Sequence, residues 1–300
     1  MADDVWRLDF PMAPDADPAE VSRPEVARER VARMLGADVQ FDLVWVGPYA
    51  YRTMLMERFR HGRLLFIGDA AHANSPFGAR GGNSGVMDAD NLGWKLALVL
   101  DGRADARLLD SYHDERHRAA AENIRITGRS GRFLQPRSAA EFRLRRAVLN
   151  LAREHAFARS LLNTGRLCSP HHYGGLPAFG GDDAGQAGMA VPNVVLSRHA
   201  RDCTLVDLLA AAGTSPLAFV FGPGKAALIS ASQAERLPVQ VLALGEDFDD
   251  PQGLLATCTA CPPGGVALVR PDSHLAATLP DASPEALLRA ARATFYRPQP

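Results

Sequence analysis

Short apolar runs broken by Gly and Pro alternate along this chain with stretches of helical periodicity, the mixture expected of an α/β protein. The segment from Gly62 to Leu96 is the most informative. Arg63 to Ile67 has the length and flanks of a buried strand and ends at Gly68-Asp69, which places a carboxylate where strand gives way to loop. Pro76 and Gly78 mark a turn, Gly81-Gly82-Asn83 follow, and Val86, Ala89, Leu92, Leu96 and Val99 then fall on one side of a helix that Gly102 stops. Upstream, the pattern predicts a strand over Trp6–Phe10, a turn over Pro11–Pro18, a helix over Pro24–Leu35 and a strand over Phe41–Val46. Downstream, helical patterning runs from Arg107 to about Arg132, breaks at Pro136 and resumes from Ala139 to about Asn163. Residues 166–191, rich in Gly and Pro, have no periodicity and read as a linker. From Pro192 the chain reads as a small α/β unit that should fold by itself. It has a helix over Thr204–Ala212, a strand over Leu217–Phe221, a helix over Lys225–Arg236 and a strand over Val239–Leu244. A hairpin at Asp272-Ser273 and a helix over Pro284–Tyr296 complete it.

A strand, a glycine-rich loop and a helix N-terminus together form an amide-lined site, suited to a ligand that carries or develops negative charge. Composition narrows the class of protein. With 300 residues, 47% of them hydrophobic, the chain can bury a core, and a net charge of −1 argues against nucleic acid or a membrane surface as partner. Lys95 and Lys225 are the only lysines among 33 basic residues. No apolar run approaches membrane-spanning length, no signal pattern opens the chain, and four cysteines make no disulfide framework, so the expected compartment is the cytoplasm.

The segment Gly68-Asp69-Ala70-Ala71-His72, Pro76, Gly78, Arg80-Gly81-Gly82-Asn83, Asp88, Asn91-Leu92 and Trp94-Lys95-Leu96 resembles, without a gap, the second FAD motif of the flavoprotein aromatic monooxygenases, the para-hydroxybenzoate hydroxylase and phenol-type hydroxylase family. The likeness continues through Leu108–Tyr112, Glu115-Arg116 and Glu122–Ile124. The resemblance implies an FAD-dependent enzyme that hydroxylates a small phenolic ring with NAD(P)H and O2. It also implies a fold class: part of the FAD-binding and substrate domain of a class A flavin monooxygenase (residues 1–165), the linker, and a thioredoxin-like unit (192–300). The family opens with a strand, a G-x-G-x-x-G turn and a helix that hold the ADP half of FAD. No such unit precedes Trp6, so the expectation is the C-terminal part of a truncated or split enzyme, with a separate N-terminal half as a possible partner. A non-catalytic flavin-binding or scaffold remnant is the alternative.

Within that resemblance Gly68 and Asp69 close the strand beside the ribityl chain, where a carboxylate accepts hydrogen bonds from hydroxyls; capping of the loop's own amides is the other reading. Gly81 and Gly82 let backbone approach the isoalloxazine edge, Asn83 caps the helix, and Pro76 stiffens the loop. Trp45, Tyr49 and Tyr51 are candidate substrate-pocket residues, with core packing as their alternative. His72 reads as structural, and no catalytic acid or base can be named. Three other motifs compete. Gly222-Pro223-Gly224-Lys225-Ala226-Ala227, followed by Glu246, resembles a nicotinamide-dinucleotide fingerprint, although Pro223 removes an amide from the loop. Cys258 and Cys261 have redox spacing but precede a hairpin rather than open a helix, and Cys168 and Cys203 add no metal site. His171-His172 reads as solvated, and Arg143, Arg145 and Arg146 as an exposed helix face.

Overall fold

The structure, a computed structural model, describes residues 4–13, 15–50, 52–76, 78–162, 170–179, 186–199 and 201–296. Two helices open the described chain: α1 (Pro18–Val21), capped by the Asp17 carboxylate, and α2 (Pro24–Leu35). Pro24 takes the first position of α2, where its missing N–H leaves nothing unpaired. Around them the expected strands over Trp6–Phe10 and Phe41–Val46 do not form. A strand needs a neighbour to accept its hydrogen bonds, and no described segment pairs with these two. Trp6 is 84% exposed.

Four two-residue strands follow. β1 (Met54–Leu55) pairs antiparallel with β4 (His72–Ala73), and β2 (Arg60–His61) forms a hairpin with β3 (Leu64–Leu65). The buried strand expected over Arg63–Ile67 is therefore only the second arm of a hairpin, with Leu64 65% exposed. Helix α3 (Arg80–Leu100) packs along α4 (Leu108–Leu134), after which α5 (Ala139–Glu154, capped by Ser138) and α6 (Ala156–Leu162) continue the helical region. The face that α3 buries matches its apolar spacing only toward the C-terminal end, where Leu92 is buried and Leu96 and Val99 pack beside it. Ser84, Asp88, Asn91, Leu92, Trp94, Lys95 and Leu98 are inside, while Val86 and Ala89 are exposed. A polar stripe can be buried when each member finds a partner, and α4 supplies them.

The C-terminal half begins with a hairpin that patterning missed, β5 (Val195–Arg198) and β6 (Arg201–Thr204). Thr204 and Asp207 form a reciprocal capping box at the start of α7 (Leu205–Ala212). Next come β7 (Leu217–Val220), α8 (Lys225–Ala234), β8 (Gln240–Ala243) and the short α9 (Leu254–Cys258). β9 (Val266–Val269), β10 (Leu275–Leu279) and α10 (Pro284–Thr294) end the described chain. The sheet order is β10-β9-β7-β8, with β7 and β8 parallel and the other pairs antiparallel. Its central strands are buried on both faces. Ala218 and Val220 face a cluster with Leu228 and Leu287, and Leu217 and Phe219 face one with Leu205, Leu209 and Leu255.

The first of those clusters also contains Trp94 and Leu98 of α3 and Leu108 of α4, so these helices cover one face of the C-terminal sheet. The expectation of a self-contained tail is corrected by this shared core. The supposed linker is packed as well where it is described: Tyr173, Ala178, Phe179, Ala187 and Val191 are all buried. Tyr173 lies against Phe179, at 5.9 Å between ring centres, in a small core that Ala119 of α4 and Tyr296 share.

Candidate functional site

The glycine-rich loop is pinned to the first turns of α3 by one carboxylate. Gly68 adopts φ +56°, and its Cα lies so close to Gly85 that a Cβ on Gly85 would sit 3.5 Å from it. The loop then makes a single 3-10 turn over Gly68–Ala70, closed by the Ala71 amide donating to the Gly68 carbonyl at 2.9 Å. Asp88, one helical turn beyond Ser84, accepts the Gly68 amide at 2.8 Å, the His72 imidazole Nε2 at 2.7 Å and Arg116 Nε at 2.7 Å. Burial opposes the charge on Asp88. The His72 hydrogen bond and the Arg116 guanidinium outweigh it and hold the carboxyl below the usual carboxylate range. An ionised Asp88 only accepts, so His72 carries its proton on Nε2. His72 is thus a structural residue, 1% exposed.

With Asp88 holding the loop base, Asp69 is left exposed and accepts no hydrogen bond from the loop amides among the described residues. Helix α3 begins from Ala79, at φ +51°, whose side chain makes no capping hydrogen bond. This corrects the role expected of Asn83. It lies inside the first turn, and its side-chain amide donates back to the Ala79 carbonyl at 2.6 Å. A Cβ built on Gly81 or Gly82 meets nothing within 4 Å among the described residues, which leaves room beside these two positions. Gly68, Asp69, Pro76, Gly81, Gly82 and Asn83 all belong to this one loop and helix end, with Pro76 exposed. A glycine-rich positive helix end, an exposed carboxylate and room over Gly81 and Gly82 suit a flat, hydroxyl-bearing ligand that can take up negative charge.

The candidate substrate residues are not assembled in this way. Trp45 and Tyr49 are 75% and 65% exposed on a stretch that forms no strand, and Tyr51 lies outside the described residues. The strand expected to carry them has no partner to hold it.

A second cluster, which patterning missed, lies one to two turns further along α3 and is built on Glu115, next to Arg116 in α4. Glu115 accepts Arg270 Nη1 at 2.9 Å and Nη2 at 2.7 Å, and Lys95 Nζ approaches the same carboxylate at 3.0 Å. Asn91 donates to Glu115 at 2.6 Å and to Asp272 at 2.9 Å, and accepts from Lys95 at 2.9 Å. Arg270 Nε also donates to Asp272 at 2.9 Å, with its guanidinium set between the rings of Trp94 and Phe179 at 5.2 and 4.7 Å. Two cations and two anions thus cancel out of reach of water. Burial pushes the Lys95 amine down to about 8 against the pull of Glu115. For Glu115 burial acts upward, but Arg270 and then Lys95 outweigh it and bring the carboxyl down to about 2. The signal for this cluster was present as Ser84, Asp88, Asn91 and Lys95 at three- and four-residue spacing in an apolar helix.

The competing motifs find ordinary explanations. Gly222 is required by packing, since a Cβ there would lie 2.7 Å from the Gly264 Cα, and Gly224 adopts φ +116°. Lys225 pairs with Glu246 at 3.1 Å and Asp247 at 2.5 Å, so the acid expected to meet a ribose is already engaged. Burial pushes the Cys261 thiol up to about 12, and Cys258 ends α9 instead of opening a helix. Cys168 lies outside the described residues. His171 is not simply solvated: its Nε2 meets Glu122 at 3.0 Å, and His172 bonds the Ala187 carbonyl at 3.1 Å.

The glycine-rich loop lies within a region that matches a known protein family. Residues 2–127 match the family described as FAD binding domain. Over 291 residues the chain is 31% identical to aklavinone 12-hydroxylase RdmE of Streptomyces purpurascens, which covers 90% of this chain and 51% of that protein. It is 34% identical over 152 residues to the 3-(3-hydroxy-phenyl)propionate/3-hydroxycinnamic acid hydroxylase of Mycolicibacterium gilvum (strain PYR-GCK), covering 51% of this chain and 27% of that one. Among solved structures, the flavin-dependent monooxygenase PieE in complex with FAD and substrate matches with a TM-score of 0.76 at 25% identity, over 96% of this chain and 57% of its own. The chain therefore spans about half, or less, of the length of these curated relatives.

Proposed function

We propose that this chain, a relative of the FAD-dependent aromatic hydroxylases, supplies the isoalloxazine side of an FAD monooxygenase site. The observation that carries the reading is the end of α3, where a glycine-rich first turn, room over Gly81 and Gly82 and the exposed Asp69 meet on a loop fixed by Asp88. Asp69 would accept hydrogen bonds from the ribityl hydroxyls. The amides of Gly81 and Gly82, with the positive end of α3, would hold the pyrimidine edge of the ring and favour its anionic reduced form. Pro76 and Asn83 keep the loop and first turn in shape. The bound flavin supplies ring hydroxylation with O2 and a transiently bound NAD(P)H, and the protein's part is to bind, orient and exclude water. The substrate class is a small, electron-rich aromatic such as a phenol. An ADP-binding strand–turn–helix, on the same or a second polypeptide, completes the cofactor site.

The units at 1–165 and 192–300 are read as the partial FAD and substrate domain and a thioredoxin-like unit. A parallel pair β7–β8 joined through α8, then an antiparallel hairpin and a last helix, supports the second. Where a redox pair would open α8, the chain has Gly222-Pro223-Gly224, so thiol chemistry is not part of the proposal.

Co-expression with an ADP-binding half from the family provides the test. The complex should be yellow and consume NAD(P)H when a phenol is added, while the chain by itself binds FAD weakly. Asp69→Ala should weaken FAD by roughly 1.5–3 kcal/mol, about ten- to a hundredfold, the scale of a lost hydrogen bond to a charged group. A colourless complex would instead mark the chain as a scaffold, and unchanged affinity in the variant would remove Asp69 from the site.

A further inference from the structure

A continuous line of buried contacts runs from the β9–β10 hairpin of the C-terminal unit to the glycine-rich loop. In the hairpin, His274 Nδ1 bonds the Asp272 carbonyl at 2.9 Å, and the His274 ring lies 4.5 Å from that of Tyr173. The Tyr173 phenol oxygen accepts Arg116 Nη1 at 2.6 Å. Arg116 Nε donates to Asp88 Oδ1 at 2.7 Å, and Asp88 Oδ2 receives Gly68 and His72. Tyr173, Arg116, Asp88 and His72 are each no more than 1% exposed. Beside this line, the Asn91, Lys95, Glu115, Arg270 and Asp272 cluster joins the same two helices to the same hairpin.

So many buried charges are a poor source of stability, because apolar replacements of buried ion pairs are often neutral or better. What they impose is register, since only one placement of hairpin, helices and loop satisfies all partners. We propose, resting on the function above, that the C-terminal unit positions the flavin loop. Tyr173 and Arg116 are the positioning residues: they transmit the placement of the β9–β10 hairpin to Gly68 and His72, and so to Asp69 and the first turn of α3. Coupling of this kind is reciprocal, so a ligand at the end of α3 also orders the hairpin.

Tyr173→Phe tests this with little disturbance, since the ring keeps its packing and only the oxygen that Arg116 meets is lost. In the full 300-residue chain, amide exchange over residues 64–73 should quicken about tenfold while β7 and β9 keep parental rates. Arg116→Lys, which keeps the charge opposite Asp88 but loses the fork to Tyr173, should act the same way. Leu228→Ala, in the sheet core away from this line, should lower Tm without that selective quickening. With the ADP-binding half and FAD present, Tyr173→Phe should shift the flavin absorption band and Leu228→Ala should not. Parental exchange at 64–73, or uniform quickening along the chain, would overturn the proposal. Selective quickening in a complex that never takes up FAD would sustain the coupling and sink the functional reading. FAD uptake with no selectivity would do the reverse.

Discussion

Glu115 shows how one buried group sets the pH dependence of stability. Its carboxyl is held near 2 in the folded chain by Arg270 and Lys95 against an ordinary 4.5, so the contribution is complete above pH 4.5 and is lost as pH falls through 2. Urea unfolding of the parent should therefore weaken steeply between those two pH values. Glu115→Gln should be less stable at neutral pH and show a shallower acid slope, and an identical slope would remove Glu115 from the acid response. Part of this chemistry was readable in sequence. Gly68 and Asp69 were placed by their position after an apolar run, whereas the partner of Glu115 lies 155 residues away, a distance over which local patterning carries no signal. Asp88 and Arg116 were visible as part of a resemblance, but their direct contact, and the hold of Asp88 on Gly68 and His72, needed the fold.

Helices with strong end signals were legible. Pro24 opens α2, Thr204 and Asp207 cap α7, and Ser283-Pro284 start α10, each where the sequence places it. Strands were legible only where a neighbour exists: β7, β8 and the β9–β10 hairpin form, while Trp6–Phe10 and Phe41–Val46 stay unpaired among the described residues. The N-terminal half of α3 was misread because periodicity counts apolar residues and its inner stripe there, Ser84 and Asp88, is polar. The turn between β7 and α8 raises the opposite problem, a ligand motif whose glycines are needed for packing. Gly222→Ala should cost about 1–3 kcal/mol through overpacking against Gly264, lowering Tm. Its effect on NADH binding separates the two explanations: a parent that binds NADH at this turn, and a variant that loses it without loss of Tm, would restore the dinucleotide reading.

At the scale of the molecule, α3 and α4 belong to two structures at once. Their polar face holds the loop, and Trp94, Leu98 and Leu108 lie in the core of the C-terminal sheet. The chain should accordingly unfold in a single transition, with far-UV and near-UV circular dichroism coinciding. Two separated transitions, with the C-terminal sheet melting by itself, would mean that the shared core is weak. Subdivision at a Gly- and Pro-rich stretch was a reasonable reading of composition; Tyr173 and Phe179, buried within it, show that composition does not report packing. The central claim is that FAD sits at the end of α3. Amide exchange of the complex with an ADP-binding half, with and without FAD, tests it most directly. Protection should appear over residues 68–83 and spread to the β9–β10 hairpin, leaving 222–227 unchanged. Protection confined to 222–227, or absent from 68–83, would contradict it.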